Sequence, residues 1–288
     1  MSQSLLAIKN RIQTVESIKK ITNAMKLISS SRYTKIKSIY DSNVEYLTLT
    51  KKNMELCLYY ANYSKIKLPT CMVQNEGDKV LYILISSTLG LCGAYYHNLE
   101  KFANKYLTKN DDVIFIGEKG YRHFKNKVNK AYDEFLNLGS SLSFDEVNAF
   151  RHILDNYYRK EQYKAIYIIY SKFNEHKEIV PFCEKLLPLN VDKNLKNPAE
   201  LEPIFENSAN QVIDLSVPYY LDALLYNYLL ESKMCEEFSR KNSMENASSS
   251  ASKLINELSL QYNKIRQQKI TQEITEIISG SGDSLELF

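Results

Sequence analysis

Few residues in this chain have the chemistry of a nucleophile, a base or a metal ligand, and they are scattered. Cys92 lies in "STLGLCGAYY", just after an apolar run, and the four histidines are His97, His123, His152 and His176. A thiolate activated by an imidazole would carry out group transfer, but that pair needs spatial adjacency, which spacing does not supply. Free cysteine is otherwise a small buried hydrophobe. The histidines show no metal-ligand spacing. The five cysteines (Cys57, Cys71, Cys92, Cys183, Cys235) contain no C-x-x-C pair. A zinc site or a disulfide frame is therefore not expected, and a reducing cytoplasm fits the pattern. Glu236 and Glu237 sit in a helical pattern and read as a solvated face.

Phosphate chemistry fares no better. Gly90 and Gly93 form G-x-x-G after a strand-like run, and "GEKG" from Gly117 to Gly120 forms another. Neither is G-x-G-x-x-G, and no G-x-x-x-x-G-K-[ST] occurs, so no phosphate-cradling loop is expected. Such glycines also permit a tight strand-to-helix turn. No cofactor, catalytic residue or metal site is expected.

The elements that would position these residues are marked by glycine and proline. Residues 1–68 and 219–279 contain neither; all six prolines and six of the eight glycines lie between Pro69 and Pro218. Both residue types disfavour helix interiors. Two long terminal helices around an irregular middle follow, divided as 1–68, 69–216 and 217–288. In the first helix Leu5, Ile8, Ile12, Val15, Ile18, Ile21, Met25 and Ile28 recur at steps of three and four, as on one helix face. The pattern resumes at Ile36, Ile39, Val44, Leu47, Met54 and Leu58. Such a helix is about 80 Å long at 1.5 Å per residue. It needs a long partner to bury its stripe. The last segment offers Leu221, Leu224, Leu225, Tyr228 and Leu229, then Leu254, Leu258, Tyr262 and Ile265. The two are expected to pair as an antiparallel coiled coil.

The middle reads as α/β. "KVLYILIS" (79–86), "DVIFIG" (112–117) and "AIYIIY" (165–170) are buried-looking strands. Helical patterns separate them, at Tyr95, Leu99, Phe102 and Tyr106, and at Phe144, Val147, Phe150, Leu154 and Tyr157. Ser143 and Glu146 form a capping box for the second. A small parallel sheet is expected. "EIVPFCEKLLPL" (178–189) would add an edge strand or hairpin.

Net charge is +3, and no apolar run approaches the roughly 18 residues that span a bilayer. "MSQSLLAIKNR" resembles neither a signal peptide nor an organellar presequence. Residues 1–40 hold eight Lys or Arg against one acid, Glu16. That imbalance suits a solvated face, an acidic protein surface or nucleic-acid phosphates. Aromatic interleaving for base stacking is absent before Tyr33.

The stretch "LQYNKIRQQKITQEITEIISG" (260–280) puts Leu254, Leu258, Tyr262 and Ile265 on one face. Ile270, Ile274 and Ile277 lie on another, about 100° or more away at 100° per residue. The helix changes its apolar side near Gln268, as expected of a helix that leaves its partner and enters surroundings supplied by other chains. Arg266 and the glutamines would give hydrogen bonds there.

This stretch resembles the carboxy-terminal signature of the gamma subunit of F-type rotary ATP synthases. "AIKNRIQTVESIKKITNAMKLISSSR" (7–32) resembles that family's first helix, and "GLCGAYYHNL" (90–99) its G-L-C-G region. The resemblance implies a terminal coiled coil with a small Rossmann-like domain. It implies a non-catalytic bacterial rotor shaft inside a ring of alpha and beta subunits that carry the ATP chemistry. An epsilon subunit and a membrane c-ring are implied as further partners, with no nucleic acid and no direct membrane insertion. The location implied is cytoplasmic, peripheral on the inner face of the cell membrane. Met25 and Lys26 would meet beta-subunit loops. Arg266, Gln267, Thr271 and Glu273 would meet the ring's catch region, and the tip from Ile274 would turn in an apolar sleeve. Leu89 stands where the family has a basic residue. Alternatives are a specialised hydrolysis-driven rotor, a coiled-coil tether with a nucleic-acid-binding arm, and a small Rossmann enzyme with helical extensions.

Overall fold

A computed structural model describes residues 5–60, 68–139, 143–160, 163–190 and 209–282. The chain divides into two compact units, Met1–Ser29 with Arg240–Phe288, and Ser30–Ser239. Helix α1 (Leu5–Tyr60) and helix α5 (Ala209–Gly282) contribute to both.

In the first unit, Ile8 and Val15 of α1 are buried with Ala251 and Leu258 of α5, flanked by Ile12, Leu254, Ile255, Tyr262 and Ile265. Further along α1, Lys26 Nζ lies 2.9 Å from Glu245 Oε1, so α5 numbers fall as α1 numbers rise. The helices pair antiparallel, as the stripes imply. Each fully buried aliphatic side chain contributes about 1.5–3 kcal/mol.

The α1 seam differs from the expected stripe. Its buried positions are Ile8, Val15, Thr22 and Ser29, seven residues apart. Ile18, Ile21 and Ile28 are 48%, 63% and 47% exposed. The reason is geometric. Steps alternating three and four hold a heptad seam against its partner. The steps Val15, Ile18, Ile21 are both three, and each swings about 60° back around the helix at 100° per residue. The apolar stripe therefore leaves the seam, which continues through small polar residues. Thr22 satisfies its hydroxyl by donating to the Lys19 carbonyl at 3.1 Å.

The second unit is built on a five-stranded sheet ordered β3-β2-β1-β4-β5. Strands β1 (Val80–Ile85), β2 (Asp112–Ile116), β3 (Lys130–Tyr132) and β4 (Ala165–Phe173) are parallel. Strand β5 (Ile179–Leu187) returns antiparallel on β4 as the edge hairpin, with Pro181 opposite Ser171. Proline is tolerated there because an edge strand has a free side.

Side chains alternate across the sheet. Leu84, Val113, Phe115 and Ile169 face α2 (Tyr95–Ala103) and α3 (Glu118–Phe124), which supply Leu99, Ala103 and Phe124. Leu81, Ile83, Ile114 and Ile168 belong to the opposite core with α4 (Phe144–Lys160), α1 and α5. Burial on both faces explains the near-continuous apolar strands.

The sequence reading did not anticipate α3 and β3. A seven-residue helix containing Gly120 and a three-residue strand are too short to show a period. Tyr106, expected on α2, lies past its end. The last helix begins at Ala209, ahead of the expected 217, and runs through Pro218. An internal proline costs about 3 kcal/mol. Ile213, Val217, Leu221 and Leu225, none more than 3% exposed, form an unbroken four-step stripe that offsets it.

Glu236 and Glu237 are 4% and 6% exposed, not a solvated face. Lys233 Nζ approaches Glu236 Oε2 at 3.0 Å, and an Arg32 guanidinium nitrogen lies 3.6 Å from Glu237 Oε1. Opposite charge makes their burial tolerable.

Candidate functional site

Open α/β sheets bind ligands beyond the carboxyl ends of their strands, where neighbouring connections leave in opposite directions. Here that point lies between β1 and β4. The chain turns there through the G-L-C-G stretch, with Leu91 at φ 64° and Gly93 at φ 56°. The second glycine pair serves packing. Gly117 has φ 98°, and a Cβ on it would lie 2.2 Å from the Ser86 carbonyl oxygen. The Gly120 amide donates to Ser86 Oγ at 3.0 Å.

Helix α5 fills this crevice. Tyr95 Oη lies 3.0 Å from Ser232 Oγ, and Ser239 Oγ donates to the Cys92 carbonyl at 2.8 Å. Cys92, Tyr95 and Cys235 form one buried cluster, with Phe173 at the end of β4 packed against it. The Phe173 and Phe238 rings stand edge to face at 5.5 Å. Burial pushes the Tyr95 hydroxyl and the Cys235 thiol far above their ordinary pKa values. Cys92 has no histidine hydrogen-bonded to it among the described residues. His123 is engaged by Glu100 at 3.2 Å and by Lys127 at 2.6 Å, and His152 by Arg151 at 2.9 Å. Cys92, with Tyr95, is used to hold α5 against the sheet.

The remaining candidates lie on the terminal helices of the first unit. Met25 is half-buried and Lys26 is committed to Glu245. Arg266, Gln267, Thr271 and Glu273 are all exposed. Thr271 Oγ1 donates to the Gln267 carbonyl at 3.0 Å, a bond internal to the helix. Arg266 and Glu273, seven residues apart, share one line along the helix. Met25 and Lys26 are not brought to this group, since Glu245, opposite Lys26, lies about 30 Å along α5 from Arg266 at 1.5 Å per residue.

Among the described residues, Ile265 is the last of α5 to be even half-buried. Beyond it Ile270, Ile274, Ile277 and Ile278 are 46%, 52%, 71% and 65% exposed. The change of face expected near Gln268 is thus an end of cover from this chain's described residues. A second uncovered surface, Ile18, Ile21 and Ile28 of α1, escaped the sequence reading. The two successive three-residue steps after Val15 were the signal for it. On the same stretch Lys9, Arg11, Lys19 and Lys20 are exposed cations. Among the described residues, no helix is long and apolar enough to cross a membrane.

A family model described as ATP synthase matches residues 4–282. The ATP synthase gamma chain of Malacoplasma penetrans (strain HF-2) is 35% identical over 290 residues, covering 96% of this chain and 98% of the relative. That of Clostridium pasteurianum is 32% identical, covering 98% and 99%. Among solved structures, the fold matches a chain of the Euglena gracilis mitochondrial ATP synthase OSCP/F1/c-ring assembly. The TM-score is 0.63 at 15% identity, over 96% of this chain and 93% of that one. Neither a nucleic-acid tether nor a small Rossmann enzyme finds support among these relatives. With α5 seated where a nucleotide would bind and its far end uncovered, the chain belongs to the ATP synthase gamma chain family.

Proposed function

We propose that the chain works as the non-catalytic central rotor of a rotary ATP synthase. Alpha and beta subunits around it would carry the ATP chemistry, and this chain would convert their sequential turnover into rotation, or the reverse. The observation that carries this is the bare end of α5, where no residue from 266 to 279 is buried. A helix with isoleucines on an uncovered face is stabilised when a partner covers it. Arg266, Gln267, Thr271 and Glu273 would meet the ring just below that tip. Met25 and Lys26 would meet beta-subunit loops, Lys26 through its stem while its ammonium holds Glu245. Rotor function would divide the chain into a first helix (1–68), an α/β foot (69–216) and a last helix with its tip (217–288). An epsilon subunit and a membrane c-ring would complete the assembly, placing the chain peripherally on the inner face of a bacterial membrane.

The test is a reversible crosslink. Glu273→Cys, at an exposed position, is joined by a disulfide to a cysteine on a beta subunit in the reconstituted ring. Multi-site ATP turnover should stop and return on reduction. Unimpeded turnover through an intact crosslink would rule out rotation of this chain against the ring.

A further inference from the structure

We propose that Lys172, Glu184 and Glu231 form a proton-operated latch that fastens the edge strand β5 to helix α5. All three lie in the Ser30–Ser239 unit. Strand β5 hydrogen-bonds to one neighbour, β4, and Glu184 ties it to the helix above. Glu184 Oε2 accepts from Tyr228 Oη of α5 at 2.7 Å. Its Oε1 accepts from Lys172 Nζ of β4 at 3.1 Å and from Tyr170 Oη at 3.3 Å. The Tyr170 and Tyr228 rings, 2% and 6% exposed, wall the contact with centroids 4.7 Å apart.

A second carboxyl is brought to the same ammonium. Glu231 follows Tyr228 by three residues, so the two share a face of α5. It is half-buried and accepts from the backbone N–H of Phe173, the residue after Lys172. Among the described residues, Lys172 is the cation that acts on it. Lys185, also on β5, alternates to the opposite face with Cys183. The other titratable groups facing Glu231 are Tyr170 on β4, Tyr228 and Cys235 on α5, and Tyr40 on α1, with Asp41 beside Tyr40. Burial holds those hydroxyls and that thiol neutral, so they supply no countercharge.

A purely structural ion pair would need Lys172 and Glu184 alone. Two carboxyls around one ammonium are balanced only while one of them holds a proton. Burial, and after it Glu184, push the Glu231 carboxyl up to about 7 against the opposing effect of Lys172 and the Phe173 bond. With the proton in place Glu231 is neutral, and Glu184 keeps both Lys172 and Tyr228. When Glu231 gives its proton to solvent, the ammonium is shared and two negative charges face each other between α5 and β5. The edge strand, paired on one side only, is the element that yields.

The test is native-state hydrogen exchange of the purified full-length chain at about pH 6 and about pH 8, with each rate corrected for the intrinsic effect of pH on exchange. Protection over residues 179–187 should fall roughly tenfold. That is the factor given by a carboxyl that titrates at about 7 when closed and at 4.5 when open. The opening should respond weakly to low urea, since a small unit exposes little surface, while β1 and β2 respond more steeply. Glu231→Gln should abolish the pH effect. Lys172→Met, which removes the charge favouring the ionised carboxylate, should move the fall to higher pH. The proposal would be overturned by unchanged β5 protection, by a pH effect that survives Glu231→Gln, or by a fall moved to lower pH in Lys172→Met. A β5 opening with the same urea dependence as β1 and β2 would also overturn it, since the whole unit would then be unfolding.

Discussion

Arg151 Nε donates to Asp222 Oδ1 at 2.7 Å, joining α4 to α5 with both side chains shut from solvent. Asn148 Nδ2 donates to the other carboxylate oxygen at 2.8 Å. Removing one partner of such a pair leaves the other charge buried and alone, at about 3–5 kcal/mol. Asp222→Ala should therefore lower the melting temperature of the free chain by many degrees. Replacing Arg151 by Met and Asp222 by Leu together should recover much of the loss. Differential scanning calorimetry of the two variants checks both expectations.

Gly117 and Gly90 make a paired test of why glycine is needed. A Cβ on Gly117 meets the Ser86 carbonyl oxygen at 2.2 Å, at a φ that side chains rarely adopt. At Gly90 the nearest atom is the mobile Lys119 ammonium at 4.0 Å. Gly117→Ala should be strongly destabilising, since backbone must move at the β1–β2 contact. Gly90→Ala should change stability by less than about 1 kcal/mol. Thermal melts that rank the two the other way would mean G-L-C-G, not the second glycine pair, is the constrained turn.

Glu231 of α5 supplies a pH dependence. Burial pushes its carboxyl up from 4.5 to about 7, helped by Glu184 and opposed by Lys172 and a hydrogen bond from the Phe173 backbone. The charged and titratable groups facing it are Lys172 and Tyr170 on β4, Glu184 on β5, Tyr40 on α1, and Tyr228 and Cys235 on α5. A raised acid binds its proton more tightly in the folded state. Its stability contribution is full below about 4.5 and is lost as pH rises through about 7. After allowing for partial solvent access, the effect is about 2 kcal/mol. Chemical denaturation at pH 5 and pH 8 should show the wild-type chain losing this increment. Glu231→Gln, neutral throughout, should lose markedly less across the same interval.

The long helices, three of the strands and the edge hairpin were legible in the sequence because each carries enough residues to show a period. Helix α3 and strand β3 were not, since Gly120 and a three-residue strand leave no pattern to count. The helix start at Ala209 was hidden by Pro218, whose local cost is outweighed by tertiary burial of Ile213 and Val217. The burial of Glu236 and Glu237 was equally invisible, because Arg32 is remote in sequence. For the candidate site, the end of cover near Gln268 could be read from the change of apolar face. The exposure of Ile18 and Ile21 was signalled only by the two successive three-residue steps after Val15. Only the partner helix decides which residues of α1 form the seam, and it selects Thr22 and Ser29.

The exposed polar group on α5 gives the last prediction. Arg266 and Gln267 follow Ile265, where this chain's cover ends, and neither makes a side-chain hydrogen bond among the described residues. Exposed helical positions tolerate substitution within about 0.5 kcal/mol. Replacing both by alanine should leave the melting temperature of the free chain nearly unchanged, helped by alanine's helix propensity. In the assembled ring the same residues would face partner subunits, where each hydrogen bond to a charged or polar group is worth roughly 0.5–3 kcal/mol. The double variant should then lower ATPase rate or coupling severalfold. Melting of the free chain beside ATPase of the reconstituted ring separates the two effects. A large melting shift with unchanged ATPase would assign Arg266 and Gln267 to the coiled coil's own packing, against the exposure seen here. An unchanged melt with unchanged ATPase would move the partner contact elsewhere, to the isoleucines of the tip or to the uncovered Ile18 and Ile21 on α1.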